Sequence, residues 1–190
     1  AARRDARLQI DTSFRETSQL VEALAVVREC TPRTCDHVLA MGERLSAALI
    51  ALALSDAGRR VRLHDATTLI YTDGVFGSAT PDLQRTRTIV RRNIGPALRR
   101  GTIIVVPGFT GCAPDGSTVT LGRGGSDLSA TVLAHALDAP SVTLWKDVPG
   151  LLTADPRAVP DARVIPQVHV REAAELAYYG AKVLHPRSEE

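Results

Sequence analysis

At 190 residues the chain can bury one sizeable core, and its formal net charge of +2, with aromatic residues at only 4%, offers neither a basic stripe nor stacking platforms for nucleic acid. Three cysteines make no disulfide framework and no secretory leader opens the sequence, so a cytoplasmic location is expected. The longest apolar run, Leu45 to Leu54, is shorter than a bilayer span and is flanked by Glu43, Arg44 and Asp56, which predicts a buried helix and no membrane partner.

In chain order, Ser13-Phe14-Arg15-Glu16 reads as a capping box, and Leu20, Val21, Leu24 and Val27 follow at helical spacing, predicting a helix over about 14–29. Cys30, Cys35 and His37 lack a fourth ligand at finger spacing, so no metal site is expected. Val38 to Met41 reads as a short buried strand that turns at Gly42 into an apolar helix from Glu43 to Ala57, with Gly58 as its C-terminal cap. Val61-Arg62-Leu63 is the next strand. Turn chemistry over Tyr71 to Asp82 marks an irregular excursion before a helix that ends near Arg100-Gly101. Ile103 to Val106 is the strongest strand and runs into a loop, Pro107 to Gly111. A turn at Ala113 to Ser117 follows, then a Gly-rich run and a helix over about Asp127 to Leu137. Ser141 to Trp145 reads as a further strand and Val170 to Tyr179 as a final helix. Strands separated by helices of this length predict a mostly parallel sheet with helices on both faces, and its ligands would sit at the carboxyl ends of the strands. Gly42-Glu43, Gly108 to Gly111 and Lys146-Asp147 all fall there.

The most informative run is Leu121-Gly122-Arg123-Gly124-Gly125-Ser126-Asp127. A helix start offers unpaired N–H groups and the positive end of a dipole, and glycines let an anion approach the backbone. Arg123 and Asp127 add one charge of each sign, which suits a zwitterionic ligand. The run is not a dinucleotide fingerprint, because the third glycine is absent, and no Gly-Lys-Ser or Gly-Lys-Thr marks a P-loop. A plain connection between strand and helix is the competing reading. Two lysines stand against twenty-one arginines, and both, Lys146 and Lys182, lie in loop-like motifs where a compact ammonium suits a phosphate oxygen.

Six blocks in order carry a resemblance: Gly42-Glu43-Arg44-Leu45-Ser46, Pro107-Gly108-Phe109-Thr110-Gly111, Thr120 through Asp127, Trp145-Lys146-Asp147-Val148-Pro149-Gly150, Thr153-Ala154-Asp155-Pro156-Arg157 and Gly180-Ala181-Lys182-Val183-Leu184-His185-Pro186. Over roughly residues 12 to 187 they resemble the aspartokinase motifs. The resemblance implies the amino-acid-kinase fold, a three-layer α/β/α sandwich with a mostly parallel sheet, here incomplete. Residues 1–190 would be part of a catalytic domain. The implied activity is phosphorylation of the L-aspartate β-carboxylate by ATP with Mg²⁺, the first step towards lysine, threonine and methionine, by a parent protein that is a homo-oligomer.

Glu43 and Asp127 suit the substrate ammonium and Arg123 its α-carboxylate, and these are also the family's substrate positions. An ordinary first-turn Glu and a capping Asp are the structural alternatives for Glu43 and Asp127. The resemblance places the nucleotide on Lys146, Asp147, Leu152, Arg157, Lys182 and Val183, with Lys182 on phosphate. Gly108, Gly124, Gly125 and Ser126 form the phosphate-side loops. The chain departs from the family in lacking a Lys-Phe-Gly-Gly-Thr-Ser segment and regulatory domains. Leu152 stands where an aromatic residue often occurs, and Lys146 where a hydroxyl residue is common. Two other readings follow: a non-catalytic nucleotide- or amino-acid-binding fragment of the same fold, and an amino-acid kinase with another substrate. The first methionine is Met41, so residue 1 is expected to be a boundary, and the isolated chain is expected to turn over little.

Overall fold

The computed structural model describes residues 2–146, 150–154, 159–169, 171–173 and 175. Helix α1 (Ala2–Val27) packs along α2 (Pro32–Asp56). The capping box at Ser13 therefore lies inside a helix rather than at its start. Helix-favouring Arg, Ala and Leu residues precede it, and a capping motif opens a helix only where the preceding backbone is extended. Thr17 Oγ1 donates to the Ser13 carbonyl at 2.6 Å and lies 2.9 Å from Met41 Sδ, which pins α1 to α2.

The expected strand at Val38 to Met41 is also helical. α2 starts at Thr31-Pro32, where Thr31 caps by accepting from Thr34 N at 3.2 Å and proline occupies the first turn. Asp36, Ala40, Met41, Ala47, Ala48 and Ala51 are its buried residues and recur at helical spacing. The four-residue apolar run was one stretch of that stripe, and Gly42 lies within the helix. The helix ends with Ala57 as cap and Gly58 beyond it at φ +74°, as expected.

By length and composition α2 could cross a bilayer, in contrast to the shorter apolar helix expected. Here one face packs into the fold while Leu39, Leu49 and Ile50 remain exposed.

β1 (Val61–Leu63) and β2 (Ile103–Val105) pair in parallel, with Val61 opposite Ile103 and Leu63 opposite Val105. Between them run a 3-10 turn at Ala66–Thr68, the irregular excursion and helices α3 (Leu83–Asn93) and α4 (Gly95–Arg99). β3 (Thr110–Cys112) and β4 (Thr118–Thr120) form an antiparallel hairpin, so part of the loop expected after β2 is a strand. Its turn is held by Asp115 Oδ1, which accepts from Ser117 N at 2.9 Å.

α5 (Gly125–Leu137) joins the two parts of the core. Leu128 and Val132 pack with Ala79, Ala113, Val119 and Leu121, whereas Ala136 packs with Leu69, Ile70, Val90 and Ile94. Residues 141–145, expected as a strand, pair with no strand among the described residues, and Trp145 is 92% exposed. A β-favouring run becomes a strand only where another strand's edge takes up its backbone groups. Of the expected last helix, Arg171, Glu172, Ala173 and Glu175 are helical and the remainder lies outside the described residues.

Candidate functional site

The Gly-rich run turns sharply from β4 into α5. Gly124 is the N-cap in the left-handed region at φ +73°, and no side chain caps the helix. The turn is closed by backbone bonds from Gly125 N to Gly122 O at 2.9 Å and from Asp127 N to Gly124 O at 3.0 Å.

Two glycines are required by close approach. A Cβ on Gly125 would lie 3.0 Å from both Leu121 Cβ and Phe109 Cδ2, and one on Gly108 would lie 3.0 Å from Ser126 Cβ. The loop after β2 thus presses against the first turn of α5. Ser129 Oγ fastens it there by accepting from Phe109 N at 2.9 Å while donating to Gly125 O at 2.8 Å.

Asp127 lies in the first turn of α5, but its carboxylate does not cap the helix. Both oxygens accept from Lys146 Nζ, at 2.7 and 2.6 Å, and the Asp127 side chain is only 13% exposed. Two residues assigned to different ligands therefore meet, an ammonium lying on a largely buried carboxylate at a helix N-terminus.

Arg123 is exposed, with no hydrogen bond or ion pair to another described residue. Its side chain helps line a cleft of about 420 Å³, together with Cys35, Asp36, Leu39, Phe109 and Thr120. Glu43, Asp127 and Lys146 are not among the walls of that cleft.

Glu43 sits in the middle of α2, so it is neither at a strand end nor in the first turn of a helix. Burial pushes its carboxyl above the ordinary value. It makes no hydrogen bond or ion pair with another described residue. Its neighbour Arg44 pairs with Asp65, Nε lying 3.0 Å from Oδ2 without forming a hydrogen bond, and a second guanidinium nitrogen donates to Thr118 Oγ1 at 3.0 Å.

Leu152 is half-buried and bridges Val164, flanked by hydrogen bonds from Thr153 N to Arg163 O and from Ile165 N to Leu151 O. Asp147, Arg157, Lys182 and Val183 lie outside the described residues.

Asp36 is a residue that sequence reading missed. It is 2% exposed, and its carboxylate accepts from Gly77 N at 2.8 Å, Thr120 N at 2.9 Å and Thr120 Oγ1 at 2.8 Å. One buried anion so ties α2, the irregular excursion and the strand leading into the Gly-rich turn. An aspartate in an otherwise apolar helical stripe was the available signal.

This α/β fold, with its Gly-rich turn at the start of a helix, belongs to a known class: the amino acid kinase family model matches residues 1–190, and the chain is a member of that family. Within it, the similarity is to aspartokinases. Lysine-sensitive aspartokinase 3 of Escherichia coli is 37% identical over 95% of this chain and 39% of its own length. Chloroplastic aspartokinase 1 of Arabidopsis thaliana is 38% identical over 93% of this chain and 32% of its own. The crystal structure of E. coli aspartokinase III with aspartate and ADP superposes with a TM-score of 0.90, covering 96% of this chain and 40% of that one, at 37% identity. The chain spans two fifths or less of the length of these relatives.

Proposed function

We propose that the chain is part of the catalytic domain of an aspartokinase, which transfers the γ-phosphoryl group of ATP to the β-carboxylate of L-aspartate and forms β-aspartyl phosphate. The observation that carries this reading is the close similarity to an aspartokinase whose crystal structure holds aspartate and ADP, over 96% of this chain. The product would be the first intermediate towards lysine, threonine and methionine. The parent protein would act in the cytoplasm as a homo-oligomer, with L-aspartate and MgATP as its ligands and with neither nucleic acid nor a membrane as partner.

The chemistry of the residues supports the same reading. Arg123, with no partner among the described residues, is a fork suited to a bidentate contact with the substrate α-carboxylate. Asp127, with Glu43, would take the α-ammonium, and Asp127 already accepts an ammonium group, that of Lys146. Lys146 would leave it for a nucleotide phosphate as the substrate ammonium arrives. Asp147, Leu152, Arg157, Lys182 and Val183 would hold the rest of the nucleotide, with Lys182 on its phosphates, and Gly108, Gly124, Gly125 and Ser126 would form the loops facing them.

The attacking β-carboxylate is ionised at neutral pH, so no general base is needed, and the work left to the protein is positioning and charge neutralisation. Mg²⁺ would enter on the phosphates of the nucleotide. When bound, it would neutralise charge on those phosphates.

Hydroxylamine trapping of β-aspartyl phosphate by the full-length protein tests the assignment, and preferential phosphorylation of glutamate or carbamate would refute the substrate. Arg123→Ala is expected to weaken aspartate binding by about 2–5 kcal/mol, the usual cost of truncating one partner of a charged contact, and to leave MgATP binding nearly unchanged. Calorimetric titration of both ligands checks this, and equal losses would remove Arg123 from the aspartate site.

A further inference from the structure

Two of the three cysteines stand apart from the third. Cys112 is buried in the β3–β4 hairpin, as expected of a packing thiol. Cys30 is exposed in the connection between α1 and α2, Cys35 is half-buried in the first turn of α2, and their Sγ atoms lie 2.6 Å apart. The backbone between them is fixed. Thr31 caps α2 and Cys35 N donates to Thr31 O at 2.9 Å, and just before Cys30 the chain turns at Arg28, φ +58°. Packing does not explain two thiols facing one another while one of them is open to solvent.

We propose that Cys30 and Cys35 form a reversible dithiol–disulfide site at the edge of the cleft that Arg123 lines, with a low-molecular-weight disulfide of the glutathione type as its oxidant. Cys35 is itself a wall of that cleft, and the next residue, Asp36, ties the same helical turn to Thr120, three residues before Arg123. The site therefore acts on the turn that faces Arg123, whichever ligand the cleft takes.

The exposed Cys30 reacts first. Its thiolate attacks one sulfur of the reagent, releasing one reduced thiol and leaving a mixed disulfide on Cys30. The Cys35 thiolate then attacks the Cys30 sulfur and releases the second thiol. The protein loses two protons and two electrons, and the reagent, reduced, gains both. The hydrogen bond shared with Cys35 holds the Cys30 thiol above its ordinary pKa, so its thiolate fraction is small at neutral pH and the first step should quicken as the pH rises.

The test is incubation of the folded protein with oxidised glutathione, alkylation of the remaining thiols, and mass spectrometry. The expected result is an intact mass lower by two hydrogen atoms before alkylation, restored by dithiothreitol, with Cys112 alkylated only after unfolding. Arg33 lies between the two cysteines, so tryptic peptides carrying Cys30 and Cys35 would remain joined solely by the new bond. In urea the bridging step should slow by at least about tenfold, because the folded approach of the two sulfurs is lost. Cys35→Ser should retain glutathione on Cys30 as a stable adduct. Separate glutathione adducts on the two cysteines of the wild-type protein, or no reaction at either while circular dichroism reports a folded chain, would overturn the proposal.

Discussion

At its C-terminal end α5 stops on Asp138, in the left-handed region at φ +50°, and two arginines of α3 close over that end. Arg87 reaches Asp138 at 2.8 Å and the His135 carbonyl at 3.2 Å, while Arg91 pairs with Asp138 and donates to the Ala136 carbonyl at 2.9 Å. Positive charge on the last carbonyls of a helix satisfies their free lone pairs and complements the dipole. At the N-terminal end the cap is Gly124, without a side chain, and the nearby charges are Arg123, with no partner among the described residues, and Asp127, held by a lysine from beyond the helix. One end is satisfied by its own fold. The other is shaped by close backbone packing, with Asp127 held by a side chain from outside the helix.

Removing what shapes the N-terminal end should have the largest effect. Asp36→Ala would strand the buried N–H and hydroxyl of Thr120 and remove the acceptor of Gly77 N, and would cost about 3 kcal/mol, read as a loss of unfolding free energy in urea. A loss as small as that of an exposed substitution would show that Asp36 does not carry this end of the fold.

Gly125→Ala comes next. Its methyl group would press on Leu121 and Phe109, and overpacking of this kind costs about 1–3 kcal/mol. Because the loop after β2 must retreat from α5, chemical shifts of Phe109 and Ser126 should move with the loss of stability. An unchanged melting temperature would mean that the turn has room to spare.

At the C-terminal end the effect should be smaller, since the partners there are exposed and surface ion pairs contribute little. Asp138→Asn is expected to lower the melting temperature less than either change at the N-terminal end, and a drop larger than that for Gly125→Ala would reverse the ranking of the two ends.

The smallest effect is one of pH. Partial desolvation pushes the Asp138 carboxyl up, but Arg87 and Arg91 together outweigh it and leave the carboxyl below its ordinary value. A depressed acid is charged more readily in the fold than in the unfolded chain. Its contribution is complete above the ordinary carboxylate range and is lost as the pH falls through the lowered pKa. Melting curves in acid should therefore converge for the wild type and Asp138→Asn, and should separate as the pH is raised.

Local chemistry made some parts of the molecule legible in advance. The short run at Val61 to Leu63, the β-branched run at Ile103 to Val105, the turn at Ala113 to Ser117, and Gly58 at the end of α2 each carry their own instruction in neighbouring residues. The errors came where a local signal had two meanings. Ser13 to Glu16 suits a helix start or a helix interior, and Val38 to Met41 a buried strand or one turn of an apolar stripe. In the second case the Thr31-Pro32 start was present in the sequence and would have decided it. For the site, residue types and motif order pointed to Arg123 and Asp127. They did not reveal that Lys146 lies on Asp127, that Glu43 sits mid-helix, or that Asp36 braces the turn, because those facts join elements far apart in the chain.

The sequence by itself determined the family, the helix-and-strand alternation over most of the chain, and the kinds of charge available at the Gly-rich turn, since these rest on residue identity and short-range spacing. Only the tertiary structure decided which of those charges meet. Asp36 and Thr120 lie 84 positions apart, and Asp127 and Lys146 lie 19 apart, with most of α5 and the segment beyond it between them. Whether such groups touch depends on how the core closes, which no local spacing encodes. A buried carboxylate must then find its donors wherever the packing has brought them.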